Sequence, residues 1–272
     1  MGKLIKMDFY RLLQSKMFWI MSGVMFFVMA LVQFFTPFLL DLLKSFSSDP
    51  DSISKSYDKS FISLISSPTE GLTGWLIILL FISAASFLYA DIKNGYIKNY
   101  AGQLPRRSYT VTSKFIVLLF HNFVFLTAGA LGKIFGMLIC PKANILFDDF
   151  SYFGFILFFV KFILSVAMVS LILLLATGLR NKTLAIVLGV LLSVNALSLL
   201  YLGINQLLSL IGVKNFDIGD YTLDSLYSKS YDISSLSSSN GQLILNSLCV
   251  SVAFTVLSFV LTVLLVNKRD VK

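Results

Sequence analysis

Residues 17–40 read MFWIMSGVMFFVMALVQFFTPFLL, with no charged side chain between Lys16 and Asp41. A helix needs about 20 mainly apolar residues to cross the hydrocarbon core of a bilayer. Backbone in lipid must also satisfy its own hydrogen bonds, which leaves the helix as the natural form for such a stretch. Working outward from this interval, the same pattern recurs. Residues 71–90 are uncharged between Glu70 and Asp91. Residues 115–140 are interrupted only by His121 and Lys133 and end at Pro141. A fourth span, about 158–179, contains Lys161; a fifth, 183–213, is longer than one crossing requires; a sixth, 243–266, ends at Asn267, Lys268 and Arg269.

Composition agrees with this reading. Of 272 residues, 57% are hydrophobic and 13% charged, and the mean hydropathy is +0.84. A soluble domain of this size cannot hide so much apolar surface. Six crossings take roughly 130 residues, which leaves loops but no room for a separate catalytic domain. One transmembrane domain over 1–272 is the expectation. The net charge of +8 fits lysine-rich loops at anionic headgroups, so nucleic acid is not expected as a partner. The basic N-terminus and first apolar run differ from a signal peptide, because the run is too long and lacks an A-x-A cleavage pattern. It reads as a retained first span.

Orientation follows from the loops. With the N-terminus inside, the inner segments carry Lys3, Lys6, Arg11, Lys16, Lys93, Lys98, Arg106, Arg107, Lys114, Arg180, Lys182, Lys268, Arg269 and Lys272, against only Asp8, Asp91 and Asp270. Every inner segment is basic, as cytoplasmic loops are. The expectation is an all-α, multi-pass protein of the cell membrane with six transmembrane helices, N-in and C-in. Ahead of the first span, Ile5, Phe9, Leu12 and Leu13 form one helical stripe, which predicts an amphipathic helix over 1–16 lying in the inner headgroup region, with membrane lipid as its partner.

Few side chains could carry chemistry. No G-x-x-x-x-G-K-[ST], H-E-x-x-H or G-x-S-x-G occurs, and His121 and Glu70 are the only histidine and glutamate. A metal site, a nucleotide site and an intramembrane protease are therefore not expected. Cys140 and Cys249 lack metal or redox spacing; both fall near the outer face, where unpaired thiols are expected and a disulfide stays open. The intramembrane polar candidates are His121, Lys133 and Lys161. Lys133 falls near the outer end of its span. Lys161, taken at the outer edge of its own, is expected to snorkel to water. His121 is expected to make a polar contact between helices.

The inner loop after the second span is the informative one. It reads DIKNGYIKNYAGQLPRRSYTVTSK over 91–114. Gly95 and Gly102 allow tight backbone, Pro105 can open a short helix, Arg106, Arg107 and Lys114 offer cations, and Tyr109 and Val111 offer apolar contact. That is the make-up of a short amphipathic segment able to dock on another protein, or of a basic loop touching headgroups.

The order of a charged residue and G-[TY]-[IL] step, then a Pro-x-Arg patch, then a Lys before the third span resembles the permeases of ABC-2 type exporters. The likeness is to bacterial members associated with peptide export and bacteriocin self-immunity. It covers the whole chain in layout, and the motif residues are Gly95, Pro105, Arg107 and Lys114. Asp91 stands where the family commonly has Glu, and Tyr96 where it has Thr. The resemblance implies that this loop is a coupling helix seated in a groove of a separate cytoplasmic P-loop ATPase, through Asp91, Gly95, Tyr96, Pro105, Arg106, Arg107, Tyr109 and Lys114. It implies a second contact at the turn of Arg180, Asn181 and Lys182, and a partly re-entrant outer helix after the fifth span. It also implies a second permease subunit, identical or related, an amphipathic cargo (peptide, lipid or drug-like), and no cofactor on this chain, ATP and Mg being held by the ATPase. The other reading is a non-transporting membrane scaffold or immunity protein that binds its target directly.

Overall fold

The computed structural model describes residues 1–44, 59–66, 73–93, 108–141, 145–146, 152–179, 181–193, 198–210, 221–223, 225–226 and 238–268. These residues are almost entirely helical. In chain order they form α1 (Gly2–Gln14), α2 (Lys16–Lys44), β1 (Lys59–Ser60), α3 (Phe61–Ser66), α4 (Thr73–Lys93), α5 (Ser108–Ile139), β2 (Ile145–Leu146), α6 (Tyr152–Leu179), α7 (Lys182–Ser193), α8 (Ser198–Leu210) and α9 (Ser238–Lys268). Four of them (α2, α5, α6 and α9) are long and apolar enough to cross a membrane.

The charge-free intervals became helices, with instructive differences at their ends. α5 starts seven residues before the expected span and takes Tyr109, Ser113 and Lys114 into its first two turns. α6 begins at Tyr152 rather than near 158, and Lys161 is 1% exposed. The snorkelling expectation for Lys161 is therefore corrected: its helix runs on past it for more than two turns, and the side chain packs inside the bundle. Lys133, 2% exposed, is likewise buried rather than sitting at a wet edge. The fifth interval is two helices. α7 and α8 have 12 and 13 residues, or about 18 and 20 Å at the α-helical rise, and each alone is shorter than the ~30 Å core. α4, with 21 residues, reaches about 31 Å.

α6 is the centre of the bundle. Burial of its apolar stretch is 72%, against 22% for α2 and 17% for α9, which lie at the periphery. α9 faces α6 with a row of small polar residues, since Ser247, Ser251, Ser258 and Thr262 are all fully buried. Each bonds a carbonyl of its own helix, and Ser258 also shares a 2.6 Å bond with Ser170 of α6. Small side chains of this kind let two helices approach closely and bond across the seam.

α2 and α5 run side by side in the same direction. Phe18 packs on His121, Phe26 on Phe135, and Gln33 donates to the Met137 sulfur. Between these contacts the helices touch backbone to backbone. A Cβ placed on Gly132 would lie 2.3 Å from the Phe26 carbonyl oxygen, and one on Gly136 would lie 2.2 Å from that of Ala30. This is a Gly-x-x-x-Gly crossing, with both glycines on one stripe of α5.

Beyond the far ends of α5 and α6, a two-residue parallel ladder pairs β1 with β2. It ties the segment after α2 to the segment after α5, while α3 buries Leu64 against Met137 and Cys140. Cys140 and Cys249 are both free thiols, the first buried and the second exposed.

Candidate functional site

The site forms where α1 meets the end of α4 and the start of α5. α1 stops at Ser15, whose extended backbone (φ −69°, ψ 116°) turns the chain into α2. That turn lays α1 across the bundle end. The predicted stripe is shifted by about one residue. Leu12 is buried and Phe9 packs on the core, but Leu13 is exposed and Asp8 is buried in the middle of the protein-facing side. Residues at i, i+3 and i+4 share a helix face, so Asp8, Arg11 and Leu12 point inward together.

Asp8 and Arg11 meet the ends of two other helices. The Asp91 carboxylate, fully buried two residues before α4 ends, accepts from the Arg11 guanidinium through one oxygen and from the Lys114 ammonium through the other. Asp8 accepts from the Ser113 hydroxyl at 2.5 Å and from Arg11 at 3.4 Å. Two cations and two carboxylates balance. Balance matters because an unpaired charge at such depth costs several kcal/mol. Arg11 is the hinge of the arrangement, since its guanidinium reaches both acids.

A second polar layer lies deeper. The Ser83 hydroxyl and His121 Nε2 are 3.1 Å apart, joining α4 to α5. The Asn122 amide donates to Ser165 at 2.8 Å, joining α5 to α6. His121 is thus the helix-to-helix polar contact expected of it. Lys133 and Lys161 take part in interactions of their own.

Of the residues expected at an ATPase contact, Asp91 and Lys114 are brought together, but they are occupied with each other and with Arg11. They hold structure and do not present charge to a partner. Tyr109 is half-buried near the start of α5, and Lys182 is exposed at the start of α7. Asn181 caps α7, accepting from the Thr183 amide at 3.0 Å. Gly95, Tyr96, Pro105, Arg106, Arg107 and Arg180 lie outside the described residues. The residues missed from sequence are Asp8, Arg11 and Ser113. Their signal was the acid that interrupts an otherwise apolar stripe, together with a cation three residues on.

The described residues contain no group of three metal-ligating side chains, nor a hydroxyl or thiol bonded to a histidine other than Ser83. With the geometry in place, comparison with known proteins can be stated briefly. A scan against protein-family models and a search of curated proteins both give no match. The arrangement itself is a neutral clamp that ties the end of α4 and the start of α5 to α1.

Proposed function

We propose that this chain is the transmembrane permease subunit of an ATP-driven exporter in the cell membrane, moving an amphipathic cargo with the help of a separate ATPase. In this reading the chain crosses six times with both termini in the cytoplasm. α7 and α8 together make the fifth crossing and the outer re-entrant piece, and α1 lies along the inner headgroups. A second permease subunit completes the pathway. ATP and Mg belong to the ATPase.

The observation that carries this reading is the clamp. In the sequence the 94–107 stretch, with Arg106 and Arg107, falls between Asp91 and Lys114; those two residues bond each other, and Asp91 also accepts from Arg11. A segment anchored at both ends can pass a push from a bound partner into α4, α5 and α1 at once. Two further features support it: the excess of basic residues in the inner loops and the layout shared with ABC-2 type permeases.

The test is affinity purification of the intact chain in mild detergent, with identification of what comes with it. A P-loop ATPase should co-purify, and its binding should be lost when Arg106 and Arg107 are both changed to Glu. If the double variant binds and stimulates the ATPase as the parent does, the loop is not the coupling element. If the bound partner is instead a single target protein and no ATPase is found, the chain is a scaffold or immunity protein. Single cysteines at Lys3 and Arg107 should react with impermeant reagents only from the cytoplasmic side.

A further inference from the structure

The outer flank of α1 carries cations and no acid. Lys3, Lys6, Met7, Tyr10, Leu13 and Gln14 are all exposed, and at 3.6 residues per turn they share an arc of about 120°. The one acid of α1, Asp8, lies on the opposite side, 2% exposed and bonded to Arg11 and Ser113. Turning Asp8 inward leaves nothing on the outer flank to offset the lysines.

The first turn of α2 continues this surface. Trp19 is 58% exposed, and its indole N–H donates to the Leu13 carbonyl at 2.7 Å. Lys16, three residues earlier on the same helix face, is exposed as well. The Gln14 amide donates to the Tyr10 hydroxyl at 2.6 Å. Lys3, Lys6 and Lys16 form no ion pair among the described residues.

The position of α1 decides what this flank meets. Its inner side touches α5 at Ser113 and at Phe120, whose ring is 5.0 Å from that of Phe9. Those two contacts are about 10 Å apart along α5, so α1 flanks the first turns of that helix. Its outer side therefore looks away from the bundle, beside the peripheral and apolar α2. Tyr and Trp next to lysines are what a helix presents to the boundary between acyl chains and headgroups, and lysines there attract anionic headgroups.

We propose that the outer flank of α1, with Lys16 and Trp19, is a binding surface for anionic phospholipid of the inner leaflet. Lys3, Lys6 and Lys16 take the headgroup charge, while Met7, Leu13 and the rings of Tyr10 and Trp19 rest on the glycerol and upper acyl chains. Clamp and surface act together, because Arg11 and Ser113 hold the one acid of α1 away from the lipid. The inference rests on the placement of α1 along the inner headgroups and is independent of the ATPase.

The experiment is quenching of Trp19 fluorescence in the full chain carrying Trp75→Phe, which leaves Trp19 as the one tryptophan. The chain is placed in nanodiscs of mixed phosphatidylglycerol and phosphatidylcholine. Two preparations differ only in which lipid carries bromine on its acyl chains near the glycerol. One lysine at an anionic surface is worth about fivefold in binding, so phosphatidylglycerol should be enriched about fivefold or more beside Trp19. Salt at about 0.5 M should carry that ratio toward one. The Lys3→Gln, Lys6→Gln, Lys16→Gln triple variant should do the same, and arginine at the three positions should preserve the ratio. Equal quenching by the two lipids overturns the proposal but leaves α1 at the membrane surface. Quenching by neither overturns the headgroup placement as well, the flank then being covered by protein. An anionic preference unchanged by high salt, or by loss of the three lysines, also overturns the proposal.

Discussion

Replacing Gly132 and Gly136 by alanine tests how α2 is held. A methyl on Gly136 would sit 2.2 Å from the Ala30 carbonyl oxygen and 2.9 Å from its Cα, and one on Gly132 would sit 2.3 Å from the Phe26 oxygen. These neighbours are backbone, so no side-chain rotation relieves them. The helices must part by about 1 Å, a gap that forfeits a quarter to a half of each contact along the seam. Overpacking of this kind costs about 1–3 kcal/mol. Alanine returns about 1 kcal/mol in helix propensity over glycine, so each single variant should lose up to about 2 kcal/mol. The two glycines share one stripe, and the separation forced by the first makes room for the second. The double variant should therefore lose less than the sum of the singles. Cys140 offers a direct readout: it is a buried free thiol at the end of α5, and with Cys249 changed to Ser a thiol-reactive fluorogenic dye reports its uncovering on heating in mild detergent. An unchanged unfolding temperature in the double variant would refute the close crossing. Full additivity would refute the shared displacement.

Further outcomes are expected of the same assay. A double-mutant cycle of Arg11→Ala and Asp91→Ala should give a coupling of about 3 kcal/mol, because removing either partner leaves the other charge buried; a coupling near zero would mean the clamp is solvated. Ser258→Ala should cost about 1 kcal/mol by removing the bond to Ser170, and Ser170→Ala should add nothing to it. Asn181→Ala should cost about 1 kcal/mol at the start of α7, while Asn181→Asp, which keeps the capping oxygen, should stay near the parent.

Much of this architecture was legible in the sequence because lipid imposes a simple rule on charge. The intervals 17–40 and 115–140 became α2 and α5, and the helix over α1 followed from its stripe, although the buried face is turned to take in Asp8 and leave Leu13 exposed. What was not legible depended on partners far away in the chain. Lys114 looked like a loop cation until Asp91, 23 residues earlier, was found to accept from it. Arg11 looked like a topology-fixing flank, yet its acceptor is 80 residues on. Lys161 was read as an edge residue because a lysine within lipid is costly, and nothing in its own stretch shows that the bundle covers it. α7 ends at Ser193 and α8 begins at Ser198, and the sequence between them holds no glycine or proline. Only the excess length of the interval hinted that one helix would not suffice.

The clamp constrains how the bundle end can move. Arg11 bonds Asp91 at the end of α4, Lys114 at the start of α5 bonds the same carboxylate, and Ser113 of α5 holds Asp8. Sliding any one of the three helices past the others would separate buried charges, at about 3–5 kcal/mol for each pair broken. Sliding is therefore the expensive route, and tilting α1 with the ends of α4 and α5 as one piece is the cheap one. The backbone at Ser15 is extended rather than helical, so α1 can tilt there without breaking an α-helical ladder. A tilt of α1 with the ends of α4 and α5 thus carries to α2 through that joint and to α6 through the Asn122–Ser165 bond, and in neither case does it have to unmake the clamp.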